Sequence, residues 1–168
     1  MTDDAATLVD QNLSVAKQII ETLTRAGLSV ATAESLTGGL LSSALVDVPG
    51  ASECMRGGVT TYQTPMKSRV LAVDEGRLEE YGPVDPKVAE QMALGTAELF
   101  DADFGVSTTG VAGPGPSDGH PAGTVYVGVW KRSEDLVDVR RYQFEGDRAE
   151  VRAQAVSAAL SQLALAVA

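Results

Sequence analysis

The chain has 168 residues, 44% hydrophobic and 21% charged, which is typical of one globular domain covering residues 1–168. Its net charge of −10 argues against nucleic acid or an anionic membrane as a partner, because no basic stripe exists to release counterions. One cysteine and one histidine exclude an internal disulfide and a His/Cys metal site, and no loop gathers Asp and Glu at ligand spacing, so no metal is expected. The first 30 residues contain acidic side chains and no continuous apolar run, which predicts a cytoplasmic protein without a signal peptide or membrane span.

The first half of the chain alternates helical and strand patterns. Apolar residues at helical spacing predict a helix that Gly27 is placed to end: Leu13, Ala16, Ile20 and Leu23. Residues 28–34 predict a short strand that enters a polar turn at residues 35–39, and residues 40–48 resume a helical pattern. Residues 59–62 predict a second strand, and Thr64 with Pro65 predicts a helix start in which Thr64 is the N-cap.

The second half supplies a further helix and the rest of the sheet. Asp85 with Pro86 predicts a helix start, and three apolar residues would line one face of that helix: Val88, Met92 and Leu99. Residues 103–110 predict a strand that enters a loop rich in Gly and Pro at residues 110–123. Residues 124–130 are apolar at nearly every position, as in a central strand covered on both faces, and a tight connection predicts an antiparallel partner after them.

The order of these elements predicts the fold class. Asp147 with Glu150 resembles a capping box before the last helix, whose apolar residues are expected to face inward: Val156, Leu160, Leu163 and Val167. Helices and strands alternate first, and a hairpin comes late. This order predicts a three-layer α/β/α sandwich with a mixed sheet.

The chain offers hydroxyl nucleophiles but almost no imidazole. A Ser-His-Asp arrangement would need His120, whose simpler interpretation is a solvated loop side chain, and Cys54 is favoured as a small buried thiol. A lysine can replace histidine as the base, and one short stretch contains Ser52, Tyr62 and Lys67. The alternative is an ordinary loop in which the tyrosine ring ends a strand and packs in the core.

Lys67 suits the role of a base for a physical reason. If Thr64 caps the helix, Lys67 lies in its first turn, at the positive end of the dipole, which disfavours the ammonium. Lowering a lysine pKa from about 10.4 to about 7.5 requires roughly 4 kcal/mol. The dipole supplies at most about 2 kcal/mol, so burial or a nearby arginine has to supply the rest. Tyr62, just before that helix, would pass or orient a proton between serine and lysine.

Two glycine-containing turns follow predicted strands. Residues 32–39 run from strand through a polar turn into a helix, and residues 108–114 make a similar turn after another strand. Free backbone N–H groups in such turns hold a phosphate or stabilise an oxyanion, which predicts binding roles for Gly38, Gly39 and Gly113. The sequence has neither the lysine of a P-loop nor a GxGxxG motif.

Five stretches form an ordered set: TAESLTGG (32–39), the segment 50–67, STTGVAGP (107–114), PAGTVYVG (121–128) and GDR (146–148). Together they resemble the CinA C-terminal domain family, which includes the stand-alone nicotinamide-nucleotide amidases, over about residues 10–165. The resemblance implies a single CinA C-terminal-like amidase domain. It would hydrolyse the carboxamide of nicotinamide mononucleotide to nicotinate mononucleotide and ammonia, without a cofactor.

The resemblance also implies roles for individual residues. It matches the family's nucleophile to Ser52, its lysine base to Lys67, its assisting tyrosine to Tyr62 and a substrate-binding arginine to Arg148. Two residues of the most recognisable motif are expected at the pocket: Glu34 and Thr37. The expected partner is a small phosphorylated nucleotide, to which Arg148 and a helix N-terminus would offer positive potential. The family further suggests a homo-oligomer, either a dimer or a larger assembly.

The sequence departs from the family pattern at positions that are expected to affect substrate preference. Gln63-Thr64 replaces the usual Ser-Asn after the tyrosine, His120 replaces a lysine in the late loop, Met55 replaces a bulky aromatic, and Asp85 replaces a serine. The Ser/Tyr/Lys set remains complete. Two alternatives stay open: a nucleotide-binding module without catalysis, and an amidase acting on another small amide.

Overall fold

Five strands form one mixed sheet in the computed structural model, which describes residues 3–168. In chain order the strands are β1 (Val30–Glu34), β2 (Met55–Thr60), β3 (Phe104–Gly110), β4 (Thr124–Lys131) and β5 (Leu136–Gln143). Their spatial order is β2-β1-β3-β4-β5. β1 is parallel to both of its neighbours, whereas β4 is antiparallel to both of its own. The predicted mixed sheet and the predicted hairpin of β4 with β5 are confirmed.

The described residues form six α-helices, three on each face of the sheet. One face carries α1 (Asp3–Ala26), α2 (Leu40–Val46) and α6 (Arg148–Val167), which pack against one another. The other carries α3 (Thr64–Leu71), α4 (Glu75–Tyr81) and α5 (Pro86–Leu99). The predicted three-layer α/β/α sandwich is therefore confirmed.

Each face of the sheet buries its own apolar core. The larger core lies under α1, α2 and α6 and includes Leu23, Leu45 and Leu160, all fully buried. Burial of such side chains, at about 25 cal/mol per Å², is the main force that holds the layers together. The inward faces predicted for the helices are correct except at two positions, because Leu13 is 47% and Leu99 is 50% exposed.

The predicted helix starts are confirmed at two places and shifted at a third. Asp85 is the N-cap of α5, and Asp147 with Glu150 forms the predicted capping box of α6. α3 begins at Thr64 itself, so Gln63 is the N-cap and the predicted start is wrong by one residue. Lys67 is therefore the fourth residue of α3, one position further from the helix start than expected.

β2 begins at Met55, earlier than the predicted strand at 59–62. Glycines inside the strand hide the alternating pattern that marks a strand in sequence. Gly58 is required by close packing, because a Cβ there would collide with the Thr32 hydroxyl of β1 and would lie 2.5 Å from the Ser42 hydroxyl of α2.

The strand order creates a crevice at one edge of the sheet. β1 and β3 are parallel neighbours, so both of their carboxyl ends lie at that edge. The chain leaves β1 through α2 toward β2 on one side, but it leaves β3 toward β4 on the other. In open α/β sheets, ligands bind at such a switch point.

Candidate active site

A cavity of about 250 Å³ opens at the carboxyl ends of β1 and β3. Ser35 and Leu36, which directly follow β1, form one part of its wall, and residues 109–118 at the end of β3 form another. Tyr62 and Arg148 also line the cavity. The cavity therefore lies at the switch point of the sheet and collects residues that are distant in sequence.

Ser35 is placed at this cavity by the sheet itself. It is the first residue after β1, and its N–H donates to the carbonyl of Thr108 in β3 at 3.0 Å. Its side chain is mostly buried, with 8% of the residue exposed, and its hydroxyl oxygen accepts a hydrogen bond from Lys67 Nζ at 3.1 Å. A serine hydroxyl held by a lysine at a cavity wall is the arrangement that serine-lysine hydrolases require.

Lys67 is fully buried and contacts Ser35, but it does not itself line the cavity. Its Nζ also donates to the carbonyl of Thr61 at 2.6 Å. Burial lowers the pKa of Lys67 to about 8 from its ordinary 10.5, while the negative charge of Asp118 acts in the opposite direction. The shift corresponds to about 3 kcal/mol against the ammonium. Desolvation is thus the main cause of the lowered Lys67 pKa. This agrees with the expectation that the helix dipole alone is too weak to produce such a shift.

Glu34 supports the turn that presents Ser35. Its fully buried carboxylate accepts hydrogen bonds from the N–H groups of Gly39, Leu41 and Ser42 and from the Ser42 hydroxyl, at 2.7 to 3.0 Å. These contacts satisfy the amino end of α2. The expectation that Glu34 binds substrate is corrected, because its carboxylate is occupied within the protein.

Thr37, Gly38 and Gly39 also belong to this turn and do not line the cavity. The hydroxyl of Thr37 is buried and hydrogen-bonds to the Thr108 hydroxyl at 2.7 Å. The Gly38 N–H donates to the Ser35 carbonyl at 3.1 Å, and the Gly39 N–H donates to Glu34. The predicted anion-binding N–H groups are therefore already paired, and these residues shape the turn instead.

Tyr62 and Arg148 meet at the rim of the cavity. Arg148 donates through Nη2 to the Tyr62 hydroxyl at 2.8 Å and through Nη1 to the carbonyl of Gly113 at 2.7 Å. Tyr62 is 58% exposed, and its ring is not in the core. The hydroxyl thus contacts the arginine and not the serine-lysine pair, so the relay expected of Tyr62 is absent from this arrangement. Arg148 and Gly113 line the cavity, and their substrate-binding roles stay a prediction.

Ser52 does not meet Lys67. It is exposed in a 3₁₀ turn at Ala51–Glu53, which leads into the amino end of β2, and it lines a separate groove with Met55 and Gly57. Lys67 follows the carboxyl end of the same strand, and six extended residues span about 20 Å. Ser52 therefore lies near the amino end of β2, and Lys67 lies beyond its carboxyl end. The predicted pairing is corrected to Ser35 with Lys67.

The other candidate nucleophiles and ligands lie outside this cluster. Cys54 is buried, and burial raises its pKa, which agrees with an unreactive thiol. His120 pairs through its backbone with Ser117 in the loop after β3 and does not line the cavity. Among the side chains that the structure describes, those of residues 8 and 10–168, no group of three His, Cys, Asp or Glu could hold a metal ion. Among the same residues no helix is both long and apolar enough to cross a membrane.

The sequence interpretation missed three residues of the site. Ser35 carried a usable signal, since it directly follows a strand that ends beside a glycine turn. Arg152 of α6 donates to the carbonyls of Leu36 and Thr37 at 2.8 and 3.1 Å, a contact across 116 and 115 residues that no local pattern reveals. Asp118 lines the cavity within a loop whose composition predicts only irregular structure.

Comparison with known proteins identifies the family. The model of the CinA C-terminal domain matches residues 12–167. A CinA-like protein of Frankia casuarinae is 42% identical over 142 residues, covering 84% of this chain and 32% of the relative. A CinA-like protein of Chlorobaculum tepidum is 43% identical over 149 residues, covering 86% of this chain and 35% of the relative. The chain thus spans about a third of the length of these relatives.

Solved structures share the whole fold. The competence/damage inducible protein CihA from Agrobacterium tumefaciens is 35% identical with a TM-score of 0.89, covering 94% of this chain and 95% of that chain. A competence-damaged protein (CinA) superfamily protein from Escherichia coli is 34% identical with a TM-score of 0.86, covering 97% of this chain and 91% of that chain.

Proposed function

Because the chain belongs to the CinA C-terminal domain family, we propose that it is a serine-lysine amidase. It hydrolyses the carboxamide of nicotinamide mononucleotide to nicotinate mononucleotide and ammonia, with Ser35 as nucleophile and Lys67 as base. One observation carries this proposal. Lys67 is fully buried, has a pKa lowered to about 8 by that burial, and places Nζ 3.1 Å from the Ser35 hydroxyl.

The reaction needs no group beyond this pair and water. Ser35 Oγ attacks the carboxamide carbon as its proton moves to neutral Lys67 Nζ. The tetrahedral intermediate collapses, the C–N bond breaks, and the Lys67 ammonium returns the proton to the leaving nitrogen, which departs as ammonia. Water then attacks the acyl-serine ester, again losing a proton to Lys67. The ester C–O bond then breaks, the Lys67 ammonium returns its proton to Ser35 Oγ, and the acid product loses its own proton to water and leaves as the carboxylate.

The backbone after Ser35 offers a donor for the oxyanion. Leu36 lines the cavity, and its N–H has no hydrogen-bond acceptor among residues 3–168. The N–H of the residue after a nucleophile stabilises the negative oxygen of a tetrahedral intermediate in other hydrolases. Arg152 holds the following peptide in place, because its Nε donates a hydrogen bond to the Leu36 carbonyl at 2.8 Å. We assign the oxyanion site to Leu36.

The rim of the cavity suits a phosphate. Arg148 points one guanidinium edge at Gly113 and Tyr62, and it is exposed at the first residue of α6. The arginine alone is the candidate donor to an anion, because the N–H groups of Ala149 and Glu150 at the amino end of α6 already donate to the Asp147 carboxylate. The proposed substrate comes from the resemblance to nicotinamide-nucleotide amidases. Arg148 would bind the phosphate of that substrate.

The test measures products from nicotinamide mononucleotide with the purified protein. The proposal expects ammonia and nicotinate mononucleotide in equal amounts. Lys67→Met should abolish turnover while preserving nucleotide binding, and Lys87→Met, which alters an exposed lysine of α5, should change neither. Binding without ammonia in the unaltered protein would indicate a nucleotide-binding module instead. Ammonia from a different small amide, but none from this one, would reject the proposed substrate.

A further inference from the structure

The described residues that line the cavity include two with opposite formal charges. Arg148 lies at the rim, and Asp118 lies in the loop after β3. The rest of the lining is uncharged and consists of hydroxyls, glycines, prolines and a few apolar side chains. The cavity therefore offers one cationic group and one anionic group to a single ligand.

Asp118 is held in place by its own loop. Ser117 and His120 form two backbone hydrogen bonds, of 3.0 and 2.9 Å, that close a tight turn around it. Asp118 has φ +51° there, and its carboxylate accepts a hydrogen bond from the Ser117 hydroxyl at 2.8 Å. None of the ion pairs among the described side chains, those of residues 8 and 10–168, includes Asp118. Its charge is thus positioned but not neutralised by a protein cation.

The charge of Asp118 reaches the reacting end of the cavity. Its electrostatic effect on the buried Lys67 ammonium raises the pKa of that lysine, against the larger effect of burial. Since Lys67 Nζ lies 3.1 Å from the Ser35 hydroxyl, a ring whose carboxamide meets Ser35 would lie in the same negative potential. Arg148, at the rim, attracts the opposite charge.

We propose that Asp118 is a specificity-determining residue that selects substrates whose carboxamide is attached to a cationic ring. The favoured class is an N-glycosylated pyridinium carboxamide with a phosphate, in which the ring cation faces Asp118 and the phosphate faces Arg148. This inference rests on the proposed function, because it takes the substrate orientation from Ser35. An amide on a neutral ring of the same shape gains nothing from Asp118.

The experiment compares two ligands that differ in ring charge alone. They are nicotinamide mononucleotide and its benzamide isostere, in which carbon replaces the ring nitrogen. Dissociation constants are measured by calorimetry in the Ser35→Ala protein, which prevents turnover, with and without Asp118→Asn. Asp135→Asn is the matched control, because it removes the same charge from a residue with a similar backbone conformation, φ +48°, in the β4–β5 turn.

The proposal expects Asp118→Asn to weaken binding of the mononucleotide about tenfold at low salt, equivalent to about 1.4 kcal/mol. The isostere should change by less than about twofold, because Coulomb attraction to its ring is absent in both proteins. The control variant should leave both constants unchanged. Equal effects on both ligands, or no effect on either, would overturn the inference even if the protein releases ammonia. A ring-charge preference in a protein without turnover would reject the proposed function and not this inference.

Discussion

Replacing Lys67 by methionine is expected to stabilise the protein at neutral pH while removing its activity. Methionine retains the length and apolar stem of lysine but carries no charge to bury. In the folded protein burial lowers the pKa of Lys67 from 10.5 to about 8, so folding below pH 8 costs about 3 kcal/mol that the variant does not incur. The lost hydrogen bond to the Thr61 carbonyl costs about 1 to 2 kcal/mol, which leaves a net gain of about 1 to 2 kcal/mol at pH 7.

The pH dependence isolates the contribution of Lys67 from everything else. The lowered pKa means that the folded state binds fewer protons than the unfolded state between about pH 8 and 10.5, so this contribution raises stability with pH. The free energy of unfolding of the unaltered protein should therefore rise by about 2 to 3 kcal/mol relative to the variant between pH 7 and 10.

Urea unfolding at several pH values measures this difference, because both proteins share every other titrating group. If the free energy of unfolding depended on pH in the same way in both proteins, the lowered pKa of Lys67 would be wrong. Lys67 would then keep its ordinary pKa in the folded state and could not act as a base at neutral pH.

Three other predictions follow from the same contacts. Because the base must be neutral, kcat/KM should rise with pH through the pKa of Lys67 at about 8, and Asp118→Asn should move that limb to lower pH; a profile that is flat between pH 6 and 9 would contradict this. Arg148→Ala should raise KM for nicotinamide mononucleotide about tenfold and leave that for the riboside, which has no phosphate, nearly unchanged; equal effects would reject its phosphate role. The carboxylate of Asp85 caps α5 and pairs with Arg77, and its pKa is lowered because these hydrogen bonds outweigh the effect of burial. Asp85→Ala should therefore lower the free energy of unfolding by about 1 kcal/mol at pH 7. In thermal denaturation, the difference in stability between the unaltered protein and the variant should become smaller only as the pH falls through the lowered pKa of Asp85.

Much of the fold could be predicted because its local signals agree with its packing. The caps at Asp85 and Asp147 mark helix starts without any tertiary information, since the side chain accepts from N–H groups two and three residues away. The apolar run of β4 predicts a central strand covered on both faces, and β4 does lie between β3 and β5 with α5 on one face and α6 on the other. The order of the elements then leaves few topologies other than an α/β/α sandwich.

The parts that were missed depend on contacts between distant segments. α4 has a weak pattern, EGRLEEY, in which Leu78 alone is buried, so its amphipathic face is too short to detect. The start of β2 is hard to detect because it contains Gly57 and Gly58. Glycine is required at these positions, since a Cβ would collide with the Phe100 ring at Gly57 and with the Thr32 hydroxyl at Gly58. Such requirements are visible only when the layers are assembled.

In the candidate site, too, the residue with a local sequence signal was identified, and the residue placed by a distant contact was missed. Lys67 could be identified from its place near a helix start, because dipole and burial are local arguments. The serine that contacts Lys67 was missed, because proximity in sequence favoured Ser52. The parallel sheet instead brings Ser35 to the lysine from 32 residues away. The carboxyl end of β1 was the stronger clue, since the edge of the sheet determines which side chains meet.

We propose Ser35, and not Ser52, as the nucleophile. The most direct measurement compares kcat/KM for ammonia release from nicotinamide mononucleotide in Ser35→Ala and Ser52→Ala, side by side with the unaltered protein. We expect kcat/KM to fall at least about 1,000-fold in Ser35→Ala. We expect a change below about twofold for Ser52→Ala, whose exposed side chain lies away from the cavity. Full activity in Ser35→Ala together with inactivity in Ser52→Ala would contradict the proposal.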